Sequence, residues 1–313
     1  MSELVRLCEI PKPEHSRSRE FDLEFDPSSS TLFWWMRPRG RPCFTSSFLR
    51  DVEQFERALQ ERLGLYQSDG RDHRVWNYVV GSKVPGVFNL GGDMSMFIQA
   101  ILRKDLGTLR SYARLCVENM FRRIRGFEAD IQTYALVQGR AFGGGFECAL
   151  ASETIVAERS AVFSFPEILF NMIPGMGAIS LLGRRIGLSK AHDLVMSGRI
   201  FTAKEMRDLG AIDEVVDDGT GDYAIRRIIA DRAKRRNSYR AMSAAKRCYM
   251  SVDIGEMSGI VSIWVDAALR LETRDLRMMA RLVRAQERML AIPDDQDVID
   301  ALFGQTASDI QNA

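Results

Sequence analysis

Two glycine clusters constrain this chain more than anything else in it: FNLGGD at 88–93 and GGGFE at 143–147. Each sits between a strand pattern and a helix pattern. Val75 to Val80 precedes the first and Ile131 to Val137 the second, while Ser95 to Leu102 and Phe146 to Ala151 follow them as helices. Glycine lets a backbone come close to a ligand, and the unpaired N–H groups at a helix start point toward it. Two such loops facing each other could set two N–H donors on one oxygen, the arrangement of an oxyanion hole. Either cluster alone also reads as a tight turn; it is their duplication that favours the first reading. A dinucleotide fingerprint does not fit, because RAFGGGFE lacks its spacing and no ribose-binding acid follows at the right distance. A phosphate-binding Walker loop fails for want of a Gly-Lys-Ser/Thr.

The rest of the chain repeats the strand–loop–helix plan, which predicts an α/β layer architecture. Phe21, Leu23 and Phe25 alternate, a Pro-Ser-Ser-Ser turn follows, and TLFWWM completes an expected hairpin. Ser46 to Leu63 and Thr108 to Arg125 read as amphipathic helices; Thr154 to Ala157 and Ala161 to Phe165 read as strands. From Tyr223 to Leu290 there is no strand signal, and two or three helices are expected. The division predicted is an N-terminal arm over 1–30, a core over 31–222 and a C-terminal helical region over 223–313, serving pocket closure and oligomerisation.

Composition excludes several classes. With 43 basic and 42 acidic residues in 313, the net charge of +1 gives no global field for nucleic acid or membrane. No apolar run is long enough to span a bilayer, and the N-terminus lacks the apolar core of a signal peptide, so a cytoplasmic protein is expected. Five scattered cysteines without a C-x-x-C pair argue against a disulfide framework or zinc knuckle. His15, His73 and His192 are not at ligand spacing, so acid–base work falls to carboxylates. Glu147 lies on the first turn of an apolar helix, where capping that helix is the plain alternative to a catalytic role. Glu167 follows a strand and Pro166 among Phe165, Ile168, Leu169 and Phe170, a setting that raises a carboxyl pKa. Two carboxylates in unlike surroundings can divide acid and base roles.

The runs QGRAFGGGFECALASETIVA, FSFPEILFNMIPGMGA and SGRIFTAKEMRDLGAIDEVV, in that order, resemble the enoyl-CoA hydratase/isomerase (crotonase) superfamily over residues 75–220. With RPCF, FNLGGDMSMF, IWVDAAL and RLVRAQ, the resemblance over about 30–290 is closest to bacterial diffusible signal factor synthases. It implies the crotonase fold, a repeated ββα superhelix with a C-terminal α-helical region. Gly92 and Gly144 would be the oxyanion-hole donors, and Glu147 and Glu167 the catalytic pair. The implied reaction is dehydration of a 3-hydroxyacyl thioester and hydrolysis to a free cis-2-unsaturated acid used in quorum sensing. An enoyl-CoA hydratase of fatty-acid or aromatic-acid catabolism is the alternative, and a regulator contacting a sensor kinase is a third role.

The same resemblance implies an acyl pocket closed by the helices bearing Trp264 and Leu282, although on the residues alone each reads first as an ordinary helix-face core residue and the helices could instead serve trimer contacts. Phe142, Phe146, Ile173 and Met176 are added as lining because they adjoin the glycine loops. No metal or cofactor is expected beyond the acyl thioester of acyl carrier protein or coenzyme A. Between Ala224 and Arg247 nine basic residues stand against one acid, Asp231. This is either a solvated helix face or a dock for an acidic partner such as acyl carrier protein. A homo-oligomer, trimer or hexamer, is expected from the family.

Overall fold

The computed structural model describes residues 20–291, with side chains to 288. In chain order the elements are β1 (Phe21–Asp26), β2 (Thr31–Met36), α1 (Ser46–Glu61), β3 (Leu65–Ser68), β4 (Arg71–Arg74), β5 (Asn77–Ser82), β6 (Val87–Asn89), α2 (Met94–Leu102) and α3 (Leu106–Ile124). The middle of the chain forms β7 (Gln132–Val137), β8 (Arg140–Phe142), α4 (Gly144–Leu150), β9 (Thr154–Glu158), β10 (Val162–Ser164), α5 (Ala178–Ile186) and α6 (Leu188–Ser197). Then come β11 (Phe201–Thr202), α7 (Ala203–Leu209), β12 (Glu214–Val216), α8 (Gly221–Ala233), α9 (Arg236–Tyr249), α10 (Ile254–Ala268) and α11 (Thr273–Ala291).

From β5 to β10 the strands alternate between two sheets. β5, β7 and β9 enter a six-stranded sheet ordered β1-β2-β5-β7-β9-β12; β6, β8 and β10 enter a four-stranded sheet ordered β11-β10-β8-β6. Each ββα unit therefore gives one strand to each sheet, the repeated ββα plan of the crotonase fold. β6, β8 and β10 run parallel, so the chain leaves all three at the same end of the small sheet. That end carries both glycine clusters and the turn bearing Glu167.

β2, β5, β7 and β9 are buried along their whole lengths, as expected of parallel strands covered on both faces. One face of the large sheet joins the main core under α1, α3 and α10. On the other, Phe33, Trp35, Tyr134, Leu136 and Val156 pack against Ala224, Ile225 and Ile229 of α8. Among the described residues no helix is long and apolar enough to cross a membrane.

Several expectations change. The expected hairpin forms, with Asp26 Oδ1 and Oδ2 accepting from Ser28 N and Ser29 Oγ at 2.9 and 2.7 Å, and it places β1 as the sheet's edge strand. Residues 21–30 thus belong to the core and not to an arm; residues 1–19 lie outside the described residues. The boundary at 222/223 cuts through α8, whose apolar face is needed to cover the large sheet. Four helices, not two or three, follow Gly221, and the part of the C-terminal region beyond 291 lies outside the described residues. β6 and β8, read as loops, are three-residue strands, and β3–β4 is a hairpin turning at Asp69-Gly70 that the sequence reading passed over.

Candidate active site

Adjacent exits from the small sheet bring the two glycine loops together. Asn89 pairs with Ala141 and Phe142 with Ser164, so the residues after them emerge side by side. Gly143, with φ 50° and ψ −123°, turns the chain into α4, a conformation open to glycine alone. Its N–H donates to Ser164 O at 2.8 Å, and a Cβ there would stand 2.5 Å from Glu167 Oε1. Gly144 opens α4, so its amide has no intrahelical acceptor. A Cβ on Gly144 would lie 3.5 Å from Gly92 N, which puts the two loops back to back with both amides at one place.

Glu147 is buried, on the first turn of α4, but it does not cap that helix. Its side chain crosses to the start of α5, where Oε1 accepts from Met176 N at 3.0 Å and Ala178 N at 2.9 Å. Burial pushes its pKa up to about 7, with the amides of Ala178 and Met176 pulling the other way. Glu167, in the one-turn helix Pro166–Phe170, is pushed up to about 8 by burial, with the nearby charge of Glu147 adding to the rise. Its Oε2 is buried without a hydrogen-bond partner. The anion is thus better supported at Glu147, and the proton rests on Glu167.

Glu147, Glu167, Gly92 and Gly144 all line one cavity, which continues between α1, α3, α10 and α11. Phe142, Met176, Trp264 and Leu282 line it as well, and all four are buried. Trp264 meets Phe97 edge-on, ring centres 5.2 Å apart, and fills the space over Gly175. Two expected lining residues turn elsewhere. Phe146 packs on Phe163 and Phe165, with ring centres 4.9 and 5.1 Å away, because successive helical side chains diverge by about 100° and Glu147 takes the cavity direction. Ile173 packs against the core from an extended loop whose neighbours Met172 and Pro174 face the cavity.

Sequence reading missed the polar inner end. Asn119, Arg123 and Cys148 line the cavity there, and Arg123 pairs with buried Glu56 at 3.4 Å while Glu56 accepts from Tyr78 Oη at 3.1 Å. Polar residues on otherwise amphipathic α1 and α3 were the available signal.

The basic segment is largely engaged within the molecule. Arg226 and Arg227 pair with Glu24, Asp26, Asp222 and Glu214; Lys234 with Asp231; Arg240 and Arg247 with Asp130 and Glu153. Arg232 donates to Thr154 Oγ1 at 2.9 Å, and Arg236 lies over Trp76. Arg235 and Lys246 are the exceptions among the described residues. Of the nine cations, two are thus without a partner in the molecule among the described residues.

Comparison with known proteins accords with this geometry. Residues 67–253 match the enoyl-CoA hydratase/isomerase family, and the chain belongs to it. Over 159 residues it is 31% identical to the mitochondrial methylglutaconyl-CoA hydratase of Homo sapiens, covering 50% of this chain and 45% of that protein. The chain thus spans about half the length of the curated relatives it matches. An enoyl-CoA hydratase from Bacillus halodurans has a similar fold, with TM-score 0.68, 17% identity and coverage of 84% of this chain and 99% of that one. DspI of Pseudomonas aeruginosa shares the fold along 94% of this chain and all of its own, at TM-score 0.58 and 21% identity.

Proposed function

We propose that the chain is a dehydratase and thioesterase acting on a 3-hydroxyacyl thioester of acyl carrier protein, releasing a free cis-2-unsaturated fatty acid of the diffusible signal factor class. The observation that carries this is one cavity holding two backbone amides and two glutamates of raised pKa, continuing into an apolar space closed by Trp264 and Leu282. The thioester oxygen binds Gly92 N and Gly144 N. As a proton leaves C2, enolate charge builds on that oxygen and the two donors stabilise it, by about 3 kcal/mol for a single donor. One glutamate takes the C2 proton while the other protonates the departing 3-hydroxyl as water, so the pair needs one proton between them. In the second step a glutamate removes a proton from water, which attacks the thioester carbon. The same two amides hold the tetrahedral oxyanion until the thiol leaves with a proton. The choice of free acid and carrier protein rests on the resemblance to signal factor synthases.

A hydratase of acyl-CoA catabolism is the second reading, favoured by the family match and by the relatedness to methylglutaconyl-CoA hydratase. It uses the same glutamates and amides, stops at addition of water and leaves the thioester intact. Incubation with 3-hydroxydodecanoyl-acyl carrier protein separates the two. Free 2-dodecenoic acid supports the first reading, and hydration of enoyl-CoA with no free acid supports the second. Contact with a sensor kinase is the third reading, an added role of the same fold, and pull-down with Glu147→Gln protein tests it apart from catalysis.

A further inference from the structure

The first glycine loop is held by a strap. Residues 41–44 run beside it: Leu90 N donates to Pro42 O at 2.7 Å and Phe44 N to Gly91 O at 2.8 Å. Gly91, at φ 94°, is itself fixed by its N–H, which donates to Asn89 Oδ1 at 2.8 Å. Arg41 Nη2 reaches Asp93 Oδ1 at 3.1 Å and Ser95 Oγ at 2.8 Å, and Asp93 caps α2 through Met96 N. The groups flanking Gly92 are thus occupied on both sides, while its own N–H has no partner among the described residues and Gly92 lines the cavity.

Tyr112 of α3 joins the strap to the loop. Its hydroxyl donates to Phe44 O at 2.6 Å and accepts from Asp93 N at 3.4 Å. A carbonyl can only accept, so the phenol hydrogen is committed to Phe44 and a lone pair faces the amide next to Gly92. Burial raises the phenol pKa well above its ordinary value, so the hydrogen stays in place across the working range. The ring is locked too: it meets Phe97 edge-on at 5.0 Å and 88°, and Phe97 lies where a Cβ on Gly92 would stand. Tyr112 lines the cavity, yet its only hydrogen is taken, which leaves it no donor for the thioester.

We propose that Tyr112 is a positioning residue that aims the Gly92 amide at the thioester oxygen. The inference rests on the oxyanion-hole reading above but not on which reaction follows. An oxyanion donor acts only where the oxygen will be, and small misplacements cost large factors in rate. The Gly92 N–H shares its peptide plane with the Gly91 carbonyl, which accepts from Phe44 N, and Tyr112 holds Phe44 through its carbonyl; without the hydroxyl that strap loses its tie to α3 and the plane carrying the Gly92 N–H loosens.

The test is Tyr112→Phe in the full chain, which keeps the ring and removes the bond. Two readouts are taken: steady-state kinetics, and the infrared carbonyl stretch of bound dodecanoyl-CoA labelled with carbon-13 at the thioester. The expected result is kcat down on the order of tenfold, short of the 10²–10³ for losing a donor outright, with KM within about twofold. At least half of the wild-type red shift of the carbonyl disappears with it. The stretch arises only from bound ligand, so partial unfolding of the variant does not obscure it. A variant whose carbonyl frequency equals that of wild type overturns the proposal. So does a wild type whose bound carbonyl absorbs at the free-ligand frequency, which removes the oxyanion hole as well. Loss of the shift in Tyr112→Phe supports the positioning role even where no free acid is ever formed, so failure of the proposed reaction is separable from failure of this inference.

Discussion

At the scale of single residues, Glu147 and Glu167 differ in what their anions find around them. Glu147 has the amides of Met176 and Ala178 on one oxygen, whereas Glu167 has an oxygen with no partner and a neighbouring carboxylate. With pKa values pushed to about 7 and about 8, the pair holds one proton between those limits. The dependence of kcat/KM on pH is therefore expected to be bell-shaped with its maximum between them: below it no base remains, above it no acid. Glu147→Gln and Glu167→Gln should each lower turnover by about 10²–10⁴. Stability gives an independent check on Glu167. Its carboxyl holds a proton to about 8 in the folded protein against an ordinary value of 4.5, so folding is favoured at low pH and that contribution is lost as pH rises through this window. Glutamine stays neutral throughout, so the melting temperature of Glu167→Gln relative to wild type should climb from about pH 5 to about pH 8. A constant difference would show that Glu167 titrates normally. These two acids and the glycines were legible in the sequence because each stands out against its surroundings: carboxylates inside apolar runs, glycines where helices begin. Phe146 and Ile173 were misplaced because proximity in sequence says nothing of side-chain direction. Tyr112 left no signal at all, since its partners lie 19 and 68 residues away.

At the scale of elements, the site is the product of three parallel strands ending together. Nothing but their shared direction brings Gly92, Gly144 and Glu167 to one edge. Gly143 is the tightest point of that edge. Gly143→Ala must adopt a backbone region costing about 1–3 kcal/mol and press its methyl on Glu167 Oε1. A melting temperature several degrees lower and a loss of activity out of proportion to the unfolded fraction are expected; circular dichroism and kinetics on one preparation measure both. Trp264 ties α10 to α2 and to the Gly175 turn. Trp264→Ala should cost about 3–5 kcal/mol and widen the acyl space, moving preference toward bulkier chains, as a panel of branched and linear thioesters would show. The long helices and the buried strands could be read from their periodicity. β6 and β8 could not, because three residues do not establish a period, and their pairing is set by strands some fifty residues apart.

For the whole molecule, the hairpin of β1 and β2 and helix α8 decide where the domain ends. β1 is the outer strand of the large sheet, and β2 beside it is wholly buried and apolar from Leu32 to Met36. Deletion through Asp26 should expose that strand and cause association, measurable as light scattering on warming. The arm and appendage boundaries drawn from composition failed because the covering of a sheet's second face is a tertiary property, visible only once Ile225 and Ile229 meet Phe33 and Tyr134. Charge counting along 224–247 overstates the free charge for a like reason: Arg226, Arg227, Arg240 and Arg247 answer carboxylates from distant elements. The central claim is that one cavity performs both elimination and hydrolysis on a carrier-bound 3-hydroxyacyl group. Its most direct test is mass spectrometry of products from purified protein and 3-hydroxydodecanoyl-acyl carrier protein, run beside Glu147→Gln and Glu167→Gln. Free cis-2-dodecenoic acid from wild type alone is the predicted result; no free acid from wild type, with rapid hydration of crotonyl-CoA by the same preparation, would contradict it.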